Sequence, residues 1–169
     1  RNIGEAGIEV VCYNFMPVVD WTRTNLLYTL PNGSRALRFE MTDFAAYDVY
    51  MLKRDNAARD YDAGVLERAR ERFFAMSEAE RALLEQNIIA GLPGGDGSYD
   101  RAGIRAAVSQ FIELGTQGLR SHLFAFLEAV VPLAEEVGVR LCIHPDDPPF
   151  SLFGMPRVVS TAQDARAIL

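Results

Sequence analysis

The stretch 139–157, VRLCIHPDDPPFSLFGMPR, constrains this chain more than any other. Residues 139–143 are short and mostly apolar, and Gly138 breaks the chain before them. A run of that kind predicts a strand buried on both faces in a parallel sheet. His144 follows at once, then Pro145, Asp146, Asp147, Pro148 and Pro149. A helix cannot run through so many prolines, which lack the N–H donor and crowd the preceding turn. The strand must therefore open into a stiff loop. Ligands in parallel α/β folds bind at the carboxyl ends of strands. One imidazole and two carboxylates at such an end suit metal ligation and proton transfer. Carboxylates beside a ligating imidazole either bind the ion or orient the ring. The same residues also have plainer uses. A histidine after a strand serves as a hydrogen-bonded structural residue, and Pro-flanked aspartates form turns.

Length allows one domain with a real core, at 169 residues. The 49% hydrophobic and 24% charged content is that of a soluble globular protein. A net charge of -6 excludes a general attraction to nucleic acid or to an anionic membrane. No apolar run reaches the roughly 20 residues needed to span a bilayer, and no signal-peptide pattern opens the chain. Cys12 and Cys142 both lie inside apolar strand-like runs. That placement suits a reduced, cytoplasmic protein better than a disulfide framework.

Along the chain, Gly7 ends a helical stub and residues 8–15 (IEVVCYNF) read as the first strand. The loop after it carries Asn14, Asp20, Trp21 and Arg23. By the strand-end rule this loop faces the site, where the polar groups suit a polar ligand and Trp21 can wall off solvent. The alternative is a loop that only packs over the rim. Residues 26–30 and 36–39 flank Pro31-Asn32-Gly33-Ser34, a hairpin signal. A hairpin here departs from a plain strand–helix alternation and predicts a flap over the site or an oligomer contact.

Thr42 is expected to cap the next helix. The charged run 53–64 reads as solvated and mobile. Residues 65–76 form a helix, and Ser77-Glu78-Ala79-Glu80 is a capping box that starts another. The glycine-rich 92–98 lacks the strand and the Gly-Lys-Ser/Thr ending of a phosphate loop, and reads as a connector. Asp100 caps a further helix, Gly115 and Gly118 punctuate, and residues 119–137 form the last long helix. Pro132 should kink it, and His122 on it reads as a surface residue.

HPDDPP followed by FGMPRVVST closely resembles the signature of the mannonate dehydratases, and VCYNFMPVVDWTRTNL near the start looks like that family too. The resemblance runs over essentially the whole chain, with two long motifs in order. It implies an α/β fold: part of a TIM (β/α)8 barrel, xylose-isomerase-like, with a β-hairpin and helical insertion over about residues 26–115. A barrel needs about 250 residues, so residues 1–169 are expected to be a single partial domain, internal to a longer enzyme. The implied activity is dehydration of D-mannonate to 2-dehydro-3-deoxy-D-gluconate in glucuronate catabolism, with Mn2+ or Fe2+. The implied partner is a small sugar acid, and the implied assembly is a homo-oligomer, a dimer.

On that resemblance His144 matches a metal ligand, and the family's remaining ligands lie beyond residue 169. Cys142 is not a substitute for the family's ligating Cys. Asp146 and Asp147 are the candidates for acid/base work, or for hydrogen bonding to substrate. Asn14, Asp20, Trp21 and Arg23 would meet the sugar acid. Arg157 could clamp its carboxylate bidentately. The alternatives are a metal-dependent sugar isomerase or epimerase of similar barrel fold, or a non-catalytic fragment.

Overall fold

The structure is a computed structural model that describes residues 1–18, 22–90 and 100–169. The glycine-rich connector 92–98 and the site candidates Asp20 and Trp21 lie outside the described residues. In chain order the elements are α1 (Asn2–Glu5), β1 (Val10–Tyr13), β2 (Asn25–Thr29), β3 (Arg35–Arg38) and α2 (Met41–Ala46). A π-helical turn (Tyr47–Leu52) and a 3-10 turn (Ala57–Asp60) follow, then α3 (Ala63–Ala75), α4 (Glu78–Ala90) and α5 (Arg101–Glu136). The chain ends with β4 (Arg140–Ile143) and α6 (Ala162–Ile168). It is a mixed α/β chain, rich in helix. Two compact units partition it: Arg1–Pro17 with Gln110–Ser151 and Met155–Leu169, and Val18–Ser109 with Leu152–Gly154.

In the first unit β1 and β4 pair in parallel, in register from Val10 opposite Arg140 to Tyr13 opposite Ile143. One device leads a helix into each strand. Gly7 (φ 75°) follows α1 and Gly138 (φ 69°) follows α5. The Ile8 N–H bonds the Ile3 carbonyl and the Gly7 N–H that of Gly4; Val139 and Gly138 repeat this on Ala134 and Glu135. These paired bonds form the Schellman motif, whose left-handed residue favours glycine because a Cβ there is crowded.

The pair turns Tyr13 and Ile143 onto a core of Leu119, Leu123, Val158 and Val159. Its other face, with Val10, Cys12, Arg140 and Cys142, is exposed. Within residues 1–169 the pair is therefore covered on one face, not on the two expected. A parallel pair is buried twice only where layers lie on both sides, and here the apolar packing described lies on one. Within α5 the non-helical residue is Gly115 (φ 67°, ψ 176°), while Gly118 and Pro132 remain inside the helix. Pro132, where the sequence predicts a kink, lies inside the helix. Pro132 is exposed, so water can satisfy the carbonyl its ring leaves unbonded.

In the second unit β2 and β3 form the antiparallel hairpin. Gly33 takes φ 83° at its turn, and Asn32 Oδ1 accepts from the Ser34 N–H at 3.1 Å. Leu27 and Leu37 stand exposed on it. The next helix begins at Met41 with Glu40 as its cap residue, not Thr42. Thr24 decides this: its hydroxyl donates to the Arg38 carbonyl (3.2 Å) and accepts the Glu40 N–H (2.9 Å), tying the hairpin base to the helix start.

Most of the run 53–64 is exposed as expected, but Arg54, Ala57 and Tyr61 are not. Arg54 is nearly buried, and its Nε and Nη2 donate to Asp48 at 3.0 and 2.7 Å. The same Nη2 reaches Asp60 at 2.6 Å. The Tyr61 hydroxyl donates to Asp48 Oδ2 at 2.8 Å. Burial, with the facing Asp48 carboxylate, pushes that hydroxyl well above the usual phenol range, so it stays a donor.

Phe153 adopts φ 53°, in a region costly for a residue with a side chain. Its ring offsets that cost by full burial, 4.6 Å from Phe44 and 6.2 Å from Tyr47 between centroids. The Ser77–Glu80 capping box forms as expected, with Ser77 N–H to Glu80 Oε2 at 2.8 Å and the Glu80 N–H returning to Ser77 Oγ. The cap at Asp100 forms through the Gly103 N–H, at 2.7 Å.

Candidate functional site

The His144 N–H donates to the Tyr13 carbonyl at 2.8 Å, as the Arg140 N–H does to the Glu9 carbonyl at 2.8 Å. The parallel ladder thus keeps its phase past Ile143. Alternation then places His144 on the side of Arg140 and Cys142, the open face of the pair. Asn14 is exposed and follows Val10 and Cys12 in the same alternation on the neighbouring strand. The two strand ends therefore bring Asn14 and His144 to one side.

His144 Nδ1 lies 2.6 Å from the Pro145 carbonyl oxygen. A carbonyl can only accept, so Nδ1 carries the hydrogen, and the neutral ring has its lone pair on Nε2. A second group that fixes the tautomer in this way is what a ligating imidazole requires. His144 thus fits one donor position of a metal centre. Among the described residues, however, no group of three or more His, Cys, Asp or Glu side chains is placed to hold an ion. One imidazole does not make a centre.

The two aspartates part company. Asp146 is only 6% exposed. Its N–H donates to the Val159 carbonyl at 3.1 Å. Its Oδ2 accepts from the Val159 N–H and the Ser160 hydroxyl, both at 2.8 Å. Arg157 Nη1 stands 3.7 Å from its Oδ1, with both side chains nearly buried. Asp146 therefore fastens the loop after β4 to the segment before α6. Asp147 is half-buried and precedes the cis Asp147–Pro148 bond. Arg157 is placed against Asp146 rather than on an open surface. Arg23 belongs to the second unit, where its Nη1 donates to the Thr22 carbonyl at 3.0 Å.

Sequence reasoning missed Ser160 and Asp164. Asp164 completes a capping box with Thr161 and takes an ion pair from Arg120 at 2.9 Å. Burial raises the Asp164 pKa, but hydrogen bonds from the Thr161 hydroxyl, Arg120 and the Thr161 and Ser160 N–H groups leave it below the usual carboxylate range. The Thr-x-x-Asp spacing was a readable signal for the cap. Nothing local announces the Ser160–Asp146 bond.

The profile of the D-mannonate dehydratase (UxuA) family matches residues 1–169. The chain belongs to that family. It is 70% identical over 168 residues to the mannonate dehydratase of Saccharophagus degradans, covering 99% of this chain and 42% of that protein. Mannonate dehydratase 2 of Agrobacterium fabrum is 61% identical over 167 residues, again 99% of this chain and 42% of the relative. The crystal structure of the mannonate dehydratase from Streptococcus suis serotype 2 superposes with a TM-score of 0.56 at 30% identity. That match covers 98% of this chain and 34% of the other. The chain thus spans less than half the length of these mannonate dehydratases. Among the described residues no helix is long and apolar enough to cross a membrane.

Proposed function

We propose that this chain is part of a metal-dependent hydro-lyase that converts D-mannonate to 2-dehydro-3-deoxy-D-gluconate in glucuronate breakdown. The observation that carries the proposal is the match of residues 1–169 to the D-mannonate dehydratase family. The parallel β1–β4 pair, with Asn14 and His144 at one side of its carboxyl end, supports assigning the pair to a TIM (β/α)8 barrel whose ligand site opens there. We also assign the enzyme to the cytoplasm as a homodimer.

Dehydration removes the proton beside the sugar-acid carboxylate and expels the β-hydroxyl. That C–H is weakly acidic, because ionising it adds charge to a group already anionic. A bound Mn2+ or Fe2+ supplies the positive charge that stabilises this added charge. In this chain His144 is assigned to hold the ion through Nε2, with Pro145 O fixing the ring. Asp147, less buried than Asp146, is assigned to proton transfer. Asn14 is assigned to a substrate hydroxyl, as are Asp20, Trp21 and Arg23 by their place in the family motif. Asp146, which accepts from Val159 and Ser160, is assigned with the neighbouring Arg157 to holding the loop.

The test is to supply the full-length protein with Mn2+ and D-mannonate. The product should be a 2-keto acid lighter than the substrate by one water, whereas a sugar isomerase would return a product of unchanged mass. His144→Ala should lose both bound metal and turnover. Normal metal content in that variant would sink the assignment of His144.

A further inference from the structure

We propose that Phe153 is a positioning residue for the reaction: buried in the second unit, it fixes the far end of the segment that carries Asp147. This inference rests on the assignment of Asp147 to proton transfer. The loop after β4 leaves the first unit after Ser151, gives Leu152–Gly154 to the second, and returns at Met155. The Ser151 hydroxyl donates to the Met155 carbonyl at 2.8 Å and closes the neck of that excursion.

Within the second unit the tip is held by two sets of contacts. Leu152 and Phe153 are each 1% exposed. The Phe153 ring stands 4.6 Å from that of Phe44 and 6.2 Å from that of Tyr47, between centroids. Gly154 lies against the Arg54–Asp60 ion pair, where a Cβ would meet Asp60 Oδ2 at 2.8 Å and Arg54 Nη1 at 3.0 Å. Asp60 resists displacement, because Arg54 Nη2 donates to the same oxygen at 2.6 Å and to Asp48 at 2.7 Å. These contacts are interior to the unit, so they do not depend on what covers its surface in a longer protein.

The near end of the segment is fixed independently. Asp146 accepts from the Val159 N–H and the Ser160 hydroxyl, both at 2.8 Å. Only residues 147–151 separate Asp146 from Leu152, and Pro148 and Pro149 are among them. Their rings fix φ and remove slack. A segment this short and stiff, pinned at both ends, leaves the Asp147 carboxyl little freedom. Phe153 holds φ 53°, which a residue with a side chain adopts at a cost. Burial of the ring keeps it there. Without the ring the backbone relaxes to an ordinary φ and releases the far end. A misplacement of about 1 Å in a reacting group costs about 100-fold in rate.

The experiment compares full-length wild type with Phe153→Ala, Phe153→Leu and Gly154→Ala. Each is assayed with Mn2+ and D-mannonate well below its unfolding midpoint, and each is crystallised. Phe153→Ala should lower kcat about 100-fold with KM unchanged, as when an interaction made only in the transition state is lost. Bound metal should also be unchanged, because His144 precedes the Asp146 anchor. Phe153→Leu refills much of the ring's place and should restore most of the loss. Gly154→Ala pushes the tip off Arg54 and Asp60 and should repeat the effect; it is read instead where Phe153→Ala does not fold. In the crystals of both alanine variants the Asp147 carboxyl should be displaced. A folded Phe153→Ala protein with wild-type kcat, or with Asp147 unmoved, overturns the proposal. So does a loss that falls on KM or on bound metal. A wild type that does not turn over D-mannonate sinks the dehydratase reading instead, and the position of Asp147 in the crystals still decides what Phe153 holds.

Discussion

Asp146→Ala in the full-length protein separates a structural role for this carboxylate from a catalytic one. The side chain removed is 6% exposed and accepts two hydrogen bonds of 2.8 Å, from the Val159 N–H and the Ser160 hydroxyl. Its loss strands a buried backbone donor, which costs about 1–3 kcal/mol. The Ser160 hydroxyl can turn to another partner and adds little. Arg157 would keep its charge with a side chain only 5% exposed. Breaking a buried ion pair from one side costs about 3–5 kcal/mol, and the 3.7 Å separation here argues for the lower end. These terms overlap, so the expected total is about 3–5 kcal/mol. Asp146→Asn keeps an acceptor oxygen for Val159 and loses the charge, so about 1–3 kcal/mol is expected. Urea titrations followed by circular dichroism give the shift in midpoint, with turnover measured beside it. The two variants should rank Ala below Asn below wild type in stability. An Asp146→Ala protein that unfolds at the wild-type midpoint yet has lost turnover would refute the reasoning and return Asp146 to the substrate.

Other expectations are as direct. Asp164→Asn should cost about 1 kcal/mol near neutral pH, as capping interactions do. The folded-state pKa of Asp164 lies below the ordinary value, so its contribution is complete above about pH 4 and drains as pH falls through the folded value. The stability gap between variant and wild type should therefore narrow as the pH is lowered through the acid range, and a gap indifferent to pH would count against the ion pair with Arg120. Residues 1–169 expressed alone, given Mn2+ and D-mannonate, should not form the 2-keto acid. The β1–β4 pair exposes one face, and no three-donor metal group stands among the described residues. Turnover like that of the full-length protein would refute this.

What the sequence determined by itself is local. Gly7 and Gly138 marked the turns into both parallel strands, because a left-handed residue at a helix end is a property of one position and its neighbours. Asn32-Gly33 marked the hairpin, and Ser77 with Glu80 marked a helix start, for the same reason: the interacting groups are three residues apart or fewer. The apolar run 139–143 and the prolines after it also placed His144 at a strand end. Only the tertiary structure decided which charges are solvated and which of two adjacent carboxylates is buried. Arg54 reads as a member of a solvated run until the chain folds it against the buried Asp48. Asp146 and Asp147 are neighbours with identical side chains. One is committed to Val159 and Ser160 and the other is half-exposed, because the partners that separate them arrive from more than ten residues away. The pairing of Cys12 with Cys142 is of the same kind: a register between distant strands, set by which hydrogen bonds close and carried by neither strand alone.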